Sequence, residues 1–126
     1  MPASTVIPVL AYEDVGAAIE WLCETFGFSE RWRAGGHRAQ LAVGDGAVAI
    51  SERRDEARPA EVMVRIDDVD GHHERTQQRG ARIVQPPADY TYGERQYTVE
   101  DPGGNRWTFS ETIADVAPEE WGGATA

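Results

Sequence analysis

At 126 residues, with 40% apolar and 27% charged side chains, the chain has the size and composition of one globular domain and lacks the material for two independent cores. A net charge of −10, from 22 acidic against 12 basic side chains, repels phosphate backbones and anionic bilayers, which argues against nucleic-acid and membrane partners. No apolar run is long enough to span a bilayer, no basic segment and apolar stretch open the chain, and a single cysteine cannot close an internal disulfide, so a cytoplasmic protein is expected.

In chain order, Val6 to Ala11 is an apolar run suited to a buried strand, and Asp14 behind it can cap a helix. Val15, Ile19, Leu22 and Phe26 recur at helical spacing, Cys23 falls within that pattern as a small buried thiol, and Gly27 supplies a left-handed stop. Phe28 to Trp32 and His37 to Val43 read as strands joined through Gly35-Gly36, and Gly44-Asp45-Gly46 turns tightly into a strand from Ala47 to Ser51. Residues 52–59, ERRDEARP, carry no periodic apolar positions and read as a linker.

The same order then repeats. Glu61 to Ile66 is a strand, Asp68 a cap, and residues to Arg79 a more polar surface helix that Gly80 closes. Arg82 to Val84 is a short strand, and Gln85 to Gly93, with its prolines and tyrosines, is predicted to be an ordered loop or cover. Gln96 to Glu100 and Arg106 to Glu111 pair across the turn Asp101-Pro102-Gly103-Gly104-Asn105. An acidic tail follows, with a helical turn expected at Pro118 to Trp121. The landmarks Asp14-Val15, Gly27 and Ser51-Glu52 therefore recur as Asp68-Val69, Gly80 and Ser110-Glu111. Each half is too small to bury its own apolar face, so the two must pack together and share a cleft.

Strand alternation separates two faces. Val48, Ile50, Val62, Val64, Ile66, Trp107 and Phe109 form an apolar set that belongs under the helices. The opposite set, Ala47, Ala49, Ser51, Glu61, Met63, Arg65, Arg106, Thr108 and Ser110, mixes small, polar and charged groups. Polar groups inside a concave surface must be paired, so this face calls for a ligand, water or a partner chain.

Three stretches, VIPVLAYEDVGAAIEWLCETFGF, EVMVRIDDVDG and YGERQYTVEDPGGNRWTFSET, make the chain resemble the vicinal oxygen chelate superfamily, and within it the glyoxalase and bleomycin-resistance-like branch. The resemblance runs from about residue 5 to 112 and implies an α+β fold of two βαβββ modules, with a curved mixed sheet and the helices on its convex side. The expected organisation is one domain: module 1 over about 5–52, a linker over about 53–59, module 2 over about 60–112 and a tail over 113–126.

Metalloenzymes of this superfamily place ligands on the first and last strands of each module. The matching positions are Ile7, Ala49, Glu61 and Thr108, of which only Glu61 is a metal donor of the usual kind. A one-residue register error brings in Pro8, Val48 or Ile50, Val62, and Trp107 or Phe109, none of which helps. His37 falls on another strand, and the adjacent His72 and His73 diverge on a helix, where both are expected to be solvated. No metal or other cofactor is therefore predicted. No catalytic residue is assigned either: Ser51 and Ser110 lack an adjacent histidine, and Glu61 would serve as a base only if buried.

What remains resembles a bleomycin-resistance-type homodimer that sequesters an aromatic or cationic compound in clefts between two chains. The residues assigned to ligand binding are Trp32, Ala49, Glu61, Met63, Arg65, Tyr90, Tyr92, Tyr97 and Thr108. Glu61 suits a cationic group, and Trp32, Tyr90 and Tyr92 either stack on a planar ligand or pack structurally. The alternatives are a glyoxalase-like lyase or isomerase acting on a small oxygenated substrate, and a structural dimer with no ligand.

Overall fold

The structure, a computed structural model, describes residues 6–54 and 58–114. The expected turn at Pro118 to Trp121 and the middle of the linker lie outside the described residues. The elements run β1 (Val9–Tyr12), α1 (Val15–Phe26), β2 (Ser29–Ala34), β3 (Arg38–Val43), β4 (Gly46–Glu52), β5 (Glu61–Arg65), α2 (Val69–Gln78), β6 (Arg82–Tyr90), β7 (Glu94–Glu100) and β8 (Arg106–Thr112). They form two four-stranded sheets of matching order, β1-β4-β3-β2 and β5-β8-β7-β6. In each, the first strand joins the last in parallel and the other pairs are antiparallel. The duplicated βαβββ plan of an α+β fold is thus present.

Both helices start as their sequences dictate. Asp14 Oδ1 accepts from Ala17 N, and Asp68 Oδ1 accepts from Gly71 N, each at 3.0 Å, so each carboxylate satisfies an amide that has no partner within its helix. Gly27 closes α1 at φ 83°, where a side chain would be strained, and its amide donates to Cys23 O. The apolar stripe of α1 buries Val15, Ala18, Ile19, Leu22 and Phe26, whereas α2 buries only Val69 and Thr76. The second helix is held partly by Glu111, whose Oε1 accepts from Val69 N at 2.8 Å.

One buried cluster draws on both modules. Leu10, Leu41, Val48 and Ile50 come from the first sheet, Tyr97, Val99, Trp107 and Phe109 from the second. Phe26 is the hinge of this cluster, with Trp21, Phe28, Trp107 and Phe109 packed around its ring at centroid distances of 4.9 to 5.5 Å. Cys23 is half-buried rather than enclosed, and burial pushes its thiol up.

The modules are also tied by polar contacts at the β7–β8 turn. Asp101, itself buried, accepts from Tyr12 Oη at 2.5 Å, Trp107 Nε1 at 2.8 Å, and the amides of Gly103 and Asn105. Burial, followed by the Asp101 charge, pushes the Tyr12 phenol far above its ordinary range. Arg53 donates to Gly103 O, and Ala60 N donates to Asn105 Oδ1, each at 2.8 Å, so both ends of the linker are anchored to the same turn.

Two expectations are corrected here. The segment from Gln85 is not a loop: β6 continues to Tyr90 and pairs β7 as far as Tyr90 opposite Glu94. Its register shifts between Ile83 and Gln85 and again before Ala88, which accommodates Pro86-Pro87 on an edge strand where missing amide donors cost little. His72 is not solvated either. It is partly buried against Phe109, with ring centroids 4.0 Å apart, and both ring nitrogens are engaged, Nδ1 with Tyr97 Oη and Nε2 with Phe26 O.

Candidate functional site

The face of the second sheet away from the helices presents three rows of register partners. Glu61, Arg106, Glu100 and Arg82 form one row, and Met63, Thr108, Thr98 and Gln85 the next. Arg65, Ser110, Gln96 and Ala88 form the third. Parallel pairing of β5 with β8 sets Glu61 beside Arg106 and Met63 beside Thr108, because side chains of one parity share one face. An open cleft of about 360 Å³ lies over the first two rows, lined by Glu61, Met63, Thr108, Thr98, Gln85 and Arg106.

Its chemistry is mixed. Met63 is 63% exposed, a large apolar group left in solvent, and Val84 lines the same cleft. The hydroxyls of Thr98 and Thr108 share a hydrogen bond at 2.9 Å, and both residues line the cavity. Glu61 and Arg106 are exposed. Arg65, one row further along, stands near Glu94, whose Oε1 accepts from Ser110 Oγ at 2.7 Å. That hydroxyl first, then the Thr112 hydroxyl and last the Arg65 charge hold the Glu94 carboxyl below its usual range. Arg65 also reaches a second groove of about 320 Å³, which Val6, Pro8 and the β3–β4 turn line from the first module.

The first sheet presents a corresponding row, Val9, Ala49, Gln40 and Trp32. A bulge between Glu30 and Trp32 turns Trp32 onto this row, where it is 41% exposed; regular alternation would have kept it on the Glu30 face. Val9 is exposed, and Ala49, a small side chain, is buried. Trp32 and Ala49 thus belong to the first sheet and Glu61, Met63 and Thr108 to the second, and the cleft gathering the latter three is lined by second-module residues alone.

Tyr90 and Tyr92 stack at 5.4 Å beside the β6–β7 turn, and Tyr90 Oη accepts from the amide of Gln85, a cleft residue, at 2.6 Å. The tyrosine stack therefore adjoins the cleft through Gln85. Tyr97 is a correction. It points the other way, fully buried under α2 opposite Phe109, with its hydroxyl on His72 and Thr76, and burial pushes its phenol up.

A metal does not suit this arrangement. Ile7 and Ala49 bring no donor, Thr108 brings a hydroxyl shared with Thr98, and Glu61 is a single carboxylate. Among the described residues no group of three or more His, Cys, Asp or Glu side chains converges to hold an ion. Nor, among them, is any helix long and apolar enough to cross a membrane.

Three cleft residues were not singled out by motif. Thr98 was legible from strand parity, since it stands opposite Thr108 on the neighbouring strand. Val84 closed the expected strand, and Gln85 was hidden by the prolines that follow it, which made β6 look finished where it continues.

Comparison with known proteins agrees with this fold. A protein of Mycolicibacterium smegmatis, described as uncharacterized, is 34% identical over 103 residues, covering 80% of this chain and 87% of its own. The crystal structure of TioX from Micromonospora sp. ML1 is similar with a TM-score of 0.77 at 32% identity, covering 90% of this chain and 100% of that one. Lactoylglutathione lyase from Agrobacterium tumefaciens has a TM-score of 0.73 at 18% identity, covering 88% and 96%, a likeness of fold alone. Residues 5–109 match the family model of the Glyoxalase/Bleomycin resistance protein/Dioxygenase superfamily, and the chain belongs to that superfamily, the vicinal oxygen chelate proteins.

Proposed function

We propose that the chain is a small-molecule-binding protein of the bleomycin-resistance-like type, working without a resident metal. Two chains form a dimer in which the open face of one module covers that of the partner's other module, enclosing an aromatic or cationic compound. The carrying observation is the exposed Met63 set beside Glu61 and the Thr98–Thr108 pair in one open cleft. Trp32 and Val9, exposed on the first sheet, supply the matching apolar half. Single-sided faces with large exposed apolar groups are the surfaces that partners and ligands cover. Trp32, Ala49, Glu61, Met63, Arg65, Thr108 and the Tyr90–Tyr92 stack are the binding residues of this reading.

The test combines light scattering, metal analysis and thermal-shift screening against planar aromatic and cationic antibiotics. A ligand that binds only the folded state raises the melting temperature by an amount that grows with its affinity. A dimer at micromolar concentration and a saturable shift are expected. A monomer with an unmoved melting curve overturns the proposal, as does an activity that depends on a stoichiometric retained metal.

A further inference from the structure

The cleft on the second sheet carries two formal charges of opposite sign side by side. Glu61 and Arg106 are register partners on β5 and β8, both line the cavity and both are exposed. Adjacent strands stand about 5 Å apart, so the two side chains leave neighbouring strands side by side on one face, where the two ends of one small ligand can reach both. On the same row, Arg82 is paired with Glu100 at 3.4 Å. Among the described residues, neither Glu61 nor Arg106 has an ion-pair partner or a side-chain hydrogen bond. The other basic group of this face, Arg65, stands near Glu94. The rest of the lining is neutral, with Met63 and Val84 as an apolar floor and Gln85, Thr98 and Thr108 as hydrogen-bonding groups.

We infer that the cleft takes a zwitterionic compound of the amino-acid type, its ammonium against Glu61 and its carboxylate forked on the Arg106 guanidinium, with an apolar or aromatic part over Met63 and Val84. The inference rests on the reading of this face as a ligand cleft and narrows the class of ligand. A planar guanidinium matches a carboxylate with two parallel donors, which a lone cation cannot exploit. A ligand bearing only a positive charge would meet Glu61 favourably and Arg106 unfavourably in the same cleft. A ligand bearing only a negative charge has the reverse problem.

Three probes with one ring system separate these cases: L-tryptophan, tryptamine and indole-3-propionate. Binding to the full chain is followed by NMR titration of the Thr98 and Thr108 amides. Tryptophan is expected to bind about tenfold tighter than either singly charged probe. Glu61→Gln should reduce tryptophan to the affinity of indole-3-propionate, and Arg106→Gln should reduce it to that of tryptamine. Both side chains are exposed, so the variants should keep the wild-type melting temperature. If tryptamine binds as tightly as tryptophan and Arg106→Gln changes nothing, the zwitterion inference fails while the cleft stands as a site for cations. If none of the three perturbs the cleft amides, both readings fail.

Discussion

The Tyr12 hydroxyl donates to Asp101 Oδ2 at 2.5 Å, joining the first strand of one module to the last turn of the other across a sequence separation of 89. Both residues are buried, and Asp101 also holds Trp107 Nε1 and two turn amides. A carboxylate withdrawn from water is tolerated only when its lone pairs are filled, so this turn works as the clamp between the modules. Tyr12→Phe keeps the ring and removes the donor. It should cost about 1.5–3 kcal/mol, the range for a hydrogen bond to a charged group, read from the urea midpoint with an unchanged denaturant slope. Asp101→Ala should cost more, because it strands the Tyr12 and Trp107 donors together. A Tyr12→Phe loss within about 0.5 kcal/mol, the scatter of surface substitutions, would remove the clamp.

His72 makes stability depend on pH. Phe26 O can only accept, so His72 Nε2 carries the hydrogen and Nδ1 accepts from Tyr97 Oη. Burial holds the imidazole below its ordinary value of 6.5, and the Arg75 charge adds to this while the Phe26 carbonyl opposes it. The folded chain therefore takes up this proton less readily than the unfolded chain. The resulting contribution to stability is whole above the unfolded pKa and is lost as pH falls through the folded one. Unfolding free energy measured from about pH 7.5 down to about 5 should fall more steeply in the wild type than in His72→Gln. Equal slopes would show that His72 does not titrate differently in the two states.

What the sequence disclosed was local. The caps at Asp14 and Asp68, the stop at Gly27 and the Asp101–Asn105 turn all depend on residues within one turn of each other, and each stands as read. Strand parity was enough to bring Glu61, Met63 and Thr108 to one face. What escaped was set by distant partners. His72 lies on a polar helix, and its burial comes from Phe26 of the other module and from Phe109. Pro86-Pro87 forbids a central strand but not an edge, and edge position is a property of the sheet, not of the segment. Tyr97 was assigned by resemblance, although its own parity with Val99 places it in the core.

That correction separates two variants. Tyr97→Phe removes a hydroxyl from the His72 and Thr76 network and should cost about 1 kcal/mol of stability while leaving ligand capture unchanged. Met63→Ala removes an exposed side chain and should leave stability within about 0.5 kcal/mol of wild type. Its effect should appear as weaker ligand-induced stabilisation in the thermal-shift assay. If Tyr97→Phe weakens capture and Met63→Ala does not, the site lies on the opposite face of the sheet.

Gly103 sits where the β7–β8 turn meets Tyr12 of β1. A Cβ added there would fall 2.8 Å from Tyr12 Cδ2 and 3.1 Å from Asn105 Nδ2. Neither neighbour can yield, since Tyr12 is 2% exposed and hydrogen-bonded to Asp101, and the Asn105 amide also donates to Asp101. Gly103→Ala should therefore destabilise the fold by about 1–3 kcal/mol, the usual cost of overpacking a close contact. Gly36→Ala is the control, because nothing lies within 4 Å of the added carbon. In the double variant Tyr12→Leu with Gly103→Ala the aromatic edge is gone, so the two costs should combine to less than their sum by at least about 0.5 kcal/mol in a double-mutant cycle. Strict additivity would mean that the strain at Gly103 comes from the turn itself and not from the packing of β1 against it.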